Sequence, residues 1–299
     1  MSFEPIVKWS GSKRSQAEEI IKRFPRKIDT YYEPFCGGCS VLYRLLQTSS
    51  VKVKRFVASD LNSDLIALWN EIENNWERLC SDYASLWARF NKHGLDMNDA
   101  SEIERRKECF YTIRERLNKE HRPADFLFIL RTTTNGMPRY NDKGEFNNSC
   151  HFSRPGIDPL RLRRICFNWS CLLKARNVEF LCCSYEKIEP EQGDFVYADS
   201  PYAGTKGMYF GTIDFDRYWE WLRNLKCKWA ISFDGIRGDS DNTFDVPKDI
   251  YARHEYLKAG NSSFERYLGK GRVEEVKESL YLNYVPEVAA QRVIQDCLL

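Results

Sequence analysis

The sequence predicts an α/β fold: a mostly parallel sheet of seven strands, interrupted by a mostly helical insertion that carries a hairpin. Three observations predict it. Seven short β-rich runs recur along the 299 residues, at Tyr31–Phe35, Val53–Ser59, Val178–Cys182, Phe195–Ala198, Lys228–Phe233, Glu255–Lys258 and Ser279–Tyr284. The first two bracket a glycine turn and the helical segment Ser40–Leu46, the order of a parallel βαβ unit. From about residue 65 to about residue 175 the β-rich runs give way to helical spacing.

Within that insertion, Leu65, Ile66, Leu68, Trp69 and Ile72 follow Asn62 at helical intervals. Leu79, Tyr83, Trp87 and Phe90 continue the pattern, as do Ile103, Phe110, Ile113 and Leu117. The stretch from Thr132 to Pro155 is rich in Asn, Gly, Pro and Thr, with turn signals at Asn135-Gly136 and Asp142-Lys143-Gly144. The second turn sits between Arg139-Tyr140 and Glu145-Phe146, which predicts a hairpin. A helix follows, with Leu162, Ile165, Trp169, Leu172 and Leu173 on one face and Arg161, Arg163 and Arg164 largely off it.

Composition narrows the class. Hydrophobic residues make up 42%, enough for a sizeable core, which excludes a disordered chain. No clean apolar run exceeds the five residues of Phe126–Leu130, too short to span a membrane, and the opening MSFEPIVKWSGSKR is too polar for a secretory signal. Eleven scattered cysteines read as reduced thiols, so a cytoplasmic protein is expected. The net charge is +2, but Arg122 to Arg176 holds ten Lys/Arg against four Asp/Glu. On charge alone this is a solvated basic face; a phosphate backbone is the directed alternative.

Three motifs carry chemistry. Glu33-Pro34-Phe35-Cys36-Gly37-Gly38 ends the first strand, where glycines let the backbone approach a ligand beneath the next helix. Asp60 ends the second strand, where a carboxylate can accept both hydroxyls of a ribose. Asp199-Ser200-Pro201-Tyr202 follows an apolar strand and offers two acceptors, the Asp199 carboxylate and the Ser200 carbonyl, for an amino group, beside an aromatic face for a flat base. Lys8-Trp9-Ser10-Gly11-Ser12-Lys13 lacks the upstream glycine of a phosphate-binding loop. Cys36 and Cys39 have metal-ligand spacing, but no second pair completes a site, so no metal is expected. Taken singly, each motif is equally an ordinary turn or surface segment.

In this order, the motifs resemble the Dam-type (alpha-group) DNA adenine-N6 methyltransferases, over nearly the whole chain. The resemblance is carried by Lys8-Trp9-x-Gly11-x-Lys13, EPFCGG at 33–38, SDLN at 59–62, TNGMPRYNDKGEF at 134–146 and GDFVYADSPY at 193–202. It implies a Rossmann-like class I methyltransferase sheet with a helical and hairpin target-recognition insertion. The implied division is a catalytic domain from 1–64 and 176–285, a DNA-binding insertion at 65–175, and a tail at 286–299.

The same resemblance implies S-adenosyl-L-methionine as cofactor, bound through Trp9, Lys13, Glu33, Phe35, Gly37, Gly38, Asp60 and Tyr185. It implies double-stranded DNA as partner, read through Asn135, Met137, Arg139, Asn141 and Lys143, with no obligate protein partner. Asp199, Ser200, Pro201 and Tyr202 take the catalytic positions. Three departures stand out: Ser200 replaces a proline, Ser12 a glycine, and Asn148-Ser149-Cys150 a Pro-aromatic-Gly segment after the hairpin. Two rivals stay open, the same chemistry on RNA or with relaxed specificity, and a DNA-binding regulator with a decayed site.

Overall fold

The computed structural model describes residues 4–9, 11–93, 98–134, 138–201, 213–261 and 275–287. In chain order the elements begin with α1 (Ala17–Ile21), β1 (Lys27–Pro34), α2 (Ser40–Gln47) and β2 (Lys52–Asp60). Five helices follow: α3 (Ser63–Asn74), α4 (Trp76–Phe90), α5 (Ala100–Glu120), α6 (Pro123–Thr132) and α7 (Pro159–Arg176). The chain then forms β3 (Val178–Cys182), β4 (Phe195–Ala198), α8 (Phe215–Asn224) and β5 (Lys228–Arg237). It ends in β6 (Ser240–Asp241), β7 (Arg253–Asn261) and β8 (Glu275–Leu282). Each of the seven expected strands is present, and β6 is an eighth.

These elements fall into two compact units. One holds the described residues of 13–59, 183–204 and 213–299; the other holds those of 1–12 and 60–182. Residues 1–12 thus group with the insertion.

The first unit is built on the sheet. β2 pairs with β1, β1 with β4 and β4 with β5, all parallel, whereas β8 and β7 continue the order antiparallel. This is the Rossmann-like arrangement expected from the sequence. β1 is apolar where it is covered: Tyr31 is fully buried and packs with Phe195 and Phe24, whose own rings lie 4.5 Å apart. β1 ends at Pro34, one residue sooner than expected, because Phe35 takes φ 63° and turns the chain out of the strand.

β5 runs beyond the expected Phe233 because a bulge carries it on. Pairing with β8 is regular up to Phe233↔Ser279 and resumes at Ile236↔Lys277, so Asp234 and Gly235 bulge beside Glu278. A Cβ on Gly235 would lie 2.4 Å from the Lys277 carbonyl oxygen and 3.1 Å from the Ser279 nitrogen. Both are backbone atoms that cannot rotate away. Gly235→Ala is therefore expected to cost roughly 1–3 kcal/mol by overpacking, read as a lowered midpoint in thermal or urea unfolding.

The second unit is helical apart from β3 and the hairpin. α3 starts where Asn62 caps it, its side chain accepting from the Leu65 N–H at 3.1 Å. Trp69 and Trp169 are buried with rings 4.7 Å apart, and Phe180 of β3 stacks on Trp69 at 5.8 Å. Tyr83 on α4 reaches the loop before α7, donating to the Ile157 carbonyl at 3.1 Å and accepting from its N–H at 2.8 Å. α5 and α6 are joined by a two-pronged ion pair. The Arg116 guanidinium donates to both oxygens of the fully buried Asp125, at 2.7 and 2.6 Å.

Candidate active site

The sheet places the site. From β1 the chain moves to β2 on one side and later to β4 on the other, so the carboxyl ends of β1 and β4 border a topological switch point. Ligands of open α/β sheets bind at such a crevice.

The β1 end supplies a strained turn. Phe35 and Cys39 join Gly37 in left-handed backbone, at φ 63°, 52° and 45°. A non-glycine residue held there costs on the order of 1–3 kcal/mol, which surrounding contacts must offset. Here the Cys36 N–H donates to the Ser59 carbonyl at 2.9 Å and the Cys39 N–H to the Cys36 carbonyl at 2.7 Å. The turn leads into α2 with no side-chain cap from Cys39. It also presents the half-buried Phe35 ring, 5.5 Å from the Tyr185 ring, which is itself edge-on to Tyr218 at 5.2 Å.

Glu33 lies beneath this turn, 4% exposed, accepting from the Tyr31 hydroxyl at 2.5 Å. Burial pushes its carboxyl up to about 8, and the nearby Asp199 adds to the shift. Burial thus favours the protonated form of Glu33.

The β4 end supplies Asp199. Its Oδ1 lies 2.8 Å from the Lys13 ammonium, whose side chain is only 2% exposed. The same ammonium is 3.2 Å from Glu278 Oε2 on β8. Burial pushes the Asp199 carboxyl up to about 6; Lys13 opposes the shift, while Glu278 and Asp234 add to it. Asp199 keeps 21% of its side-chain surface and Pro201 is half-buried, so both remain reachable. Ser200 is buried; among the described residues its hydroxyl and that of Tyr218 make no hydrogen bond of good geometry. Tyr202 lies outside the described residues.

In the other unit, Trp9 is half-buried, and Asp60 accepts from the Asn62 N–H at 3.0 Å. The Asn62 amide in turn donates to the Tyr140 hydroxyl at 2.7 Å, tying the SDLN motif to the hairpin. That hairpin closes through the antiparallel bridge Tyr140↔Phe146. The Asn141 side chain organises its turn, accepting from the N–H groups of Lys143 and Glu145 at 3.0 and 2.9 Å. Arg139 and Lys143 are exposed, and Asn141 is half-buried. Asn135 and Met137 lie outside the described residues.

Sequence reasoning passed over three contributors. Asn148 is buried, and its side chain accepts from the Arg139 N–H at 2.5 Å, so the unusual Asn148-Ser149-Cys150 segment holds the hairpin base. Its only signal was that departure. Glu278 and Asp234 meet Lys13 and Asp199 through the bulge, which no local pattern marks.

The chain is similar to known proteins over most of its length. A family model described as D12 class N6 adenine-specific DNA methyltransferase matches residues 9–228. The chain is 34% identical over 218 residues to the type II methyltransferase M.MjaIII of Methanocaldococcus jannaschii, covering 68% of this chain and 70% of that protein. It is 28% identical over 270 residues to the retron Ec67 DNA adenine methylase of Escherichia coli, covering 86% and 84%. To the DNA adenine methylase of Haemophilus influenzae it is 28% identical over 209 residues, covering 68% and 65%.

Proposed function

This chain belongs to the D12 class of N6 adenine-specific DNA methyltransferases, and from that premise we propose how its residues methylate adenine in duplex DNA. The observation that carries the reading is Asp199, an accessible carboxylate at the β4 edge with one oxygen committed to Lys13.

An adenine within a duplex is out of reach, so the base is flipped at a cost of roughly a few kcal/mol. Tyr202 offsets part of that cost by stacking. The two N–H groups of the adenine amine donate to Asp199 and to the Ser200 carbonyl. These bonds favour a tetrahedral nitrogen with its lone pair free of the ring. Position 200 contributes only its backbone carbonyl, so serine serves there as proline would. Pro201 restricts Ser200 to extended geometry and so aims that carbonyl.

S-adenosylmethionine, when bound, supplies the methyl group together with its own leaving group, and no metal is required. The residues present fit it. Phe35 and Tyr185 offer aromatic faces for its base, and the turn at Gly37 and Gly38 lets the backbone approach.

Residues 65–175 form the target-recognition insertion in this reading, with Arg139, Asn141 and Lys143 on the hairpin addressing DNA. Arg139→Ala is expected to cost roughly 1–3 kcal/mol of discrimination at one base pair. Mapping the methylated motif and measuring DNA affinity check this; if both stay unchanged, the assignment is wrong. No helix among the described residues is long and apolar enough to cross a membrane, and a cytoplasmic enzyme without an obligate protein partner completes the reading.

The test is methyl transfer from labelled S-adenosylmethionine to plasmid DNA lacking adenine methylation, with single-stranded DNA and RNA as parallel substrates. N6-methyladenine at a short recurring motif is expected. Cofactor binding without transfer to DNA would overturn the proposal.

A further inference from the structure

Lys13 is buried with two carboxylates on its ammonium, yet only one of them, Asp199, belongs to the catalytic tetrapeptide. Glu278 comes from the far end of the chain, on an antiparallel strand that the βαβ part of the fold does not require. The sheet is distorted to bring it there. The β5 bulge at Asp234-Gly235 interrupts the ladder opposite Glu278, and only a glycine leaves room for the Lys277 and Ser279 backbone to approach so closely.

We propose that Glu278 is a positioning residue for methyl transfer: it shares the Lys13 ammonium so that Lys13 holds one oxygen of Asp199 in place and leaves the other to accept from the adenine amino group. This rests on the methyltransferase reading above. Lys13 is the only hydrogen-bond donor to the Asp199 carboxylate among the described residues. An ammonium paired with Asp199 alone would draw that carboxylate wholly to itself; the second carboxylate divides the attraction.

A pH consequence follows from the titratable groups facing Asp199. They are the charged Lys13 from the segment before α1, Glu278 on β8 and Asp234 on β5, together with the Glu33 carboxyl on β1 and the Tyr197 hydroxyl on β4. Glu278 and Asp234 disfavour the ionised Asp199, whereas Lys13 favours it. Removing the Glu278 charge therefore keeps Asp199 ionised to lower pH.

The experiment is the pH profile of methyl transfer to plasmid DNA for wild type, Glu278→Gln and Glu278→Asp, with the S-adenosylmethionine KM measured at each pH. For Glu278→Gln the midpoint of the acid limb is expected to fall by roughly half a unit to two units. A merely structural role for Glu278 would lower the rate at every pH and leave that midpoint in place, which would overturn the proposal. Glu278→Asp keeps the charge but retracts the carboxylate, so plateau kcat is expected to drop several-fold with the S-adenosylmethionine KM held. If Glu278→Gln does not fold, this second variant decides, and an unchanged kcat overturns the proposal. Failure of wild type to methylate DNA would instead count against the methyltransferase reading itself.

Discussion

Asp199→Ala is expected to lower methyl transfer by ~10²–10³-fold or more, the scale set by removing one preorganised hydrogen-bonding group from an active site, while the protein stays folded and binds S-adenosylmethionine. The fold survives because Lys13 keeps a partner: its ammonium remains 3.2 Å from Glu278, so no buried charge is left alone. The chemistry fails because the adenine amine loses the carboxylate that would polarise it. Asp199→Asn is the sharper variant, since it keeps the volume but replaces an acceptor oxygen with a donor. Single-turnover transfer alongside cofactor titration separates the two effects. Loss of cofactor binding in step with activity would refute the assignment.

The same residue sets a pH dependence whose signs differ for activity and stability. Burial pushes Asp199 up to about 6 from 3.8, and the ionised form is the stronger acceptor for an amine. Transfer is therefore expected to rise with pH through about 6 and level off above it. For folding, a raised carboxyl favours the protonated native state. Its contribution to stability is fully present below 3.8 and is lost as pH rises through about 6. Loss of activity on acidification is thus not unfolding driven by this group, and a thermal melt at each pH keeps the two apart.

Arg116→Ala carries the largest expected stability effect. Asp125 is fully buried and both its oxygens are served by the Arg116 fork, so the substitution leaves a carboxylate without its counter-charge. Breaking one side of such a pair costs ~3–5 kcal/mol. At roughly 2–4 °C per kcal/mol for a unit of this size, the melting midpoint should drop by about ten degrees. The pair joins α5 to α6, and Thr133, just past the end of α6, bridges Cys150 at the hairpin base. DNA binding should therefore weaken together with stability. A melt unchanged within a degree would mean that water reaches Asp125 and replaces the arginine.

The elements were legible where local pattern decides them. Short β-rich runs mark the strands, and helical spacing of apolar residues marks α3, α4, α5 and α7, because each of these helices buries one face; α6 is buried nearly all round and shows no such spacing. Asp199 was legible because a carboxylate followed by Ser-Pro-Tyr at a strand end has few structural uses. Phe35 reads as strand in the sequence, yet the turn around it imposes left-handed backbone against its own preference. Glu278 and Asp234 were not legible, since only the register between distant strands brings them to Lys13. Asn148 signalled itself only as an oddity, its role depending on how the hairpin folds back on its own base.

The placement of β8 between β5 and β7 also bears on synthesis. Lys13 is synthesised long before Glu278, its second counter-charge, which lies on β8, the last strand among the described residues. Until then β5 has an open edge, β7 lacks its neighbour and a lysine destined for burial stays solvated. Assembly of the charge cluster is therefore a late event of translation. A chain released before β8 would carry the helical unit and its hairpin but lack the Glu278 counter-charge to Lys13.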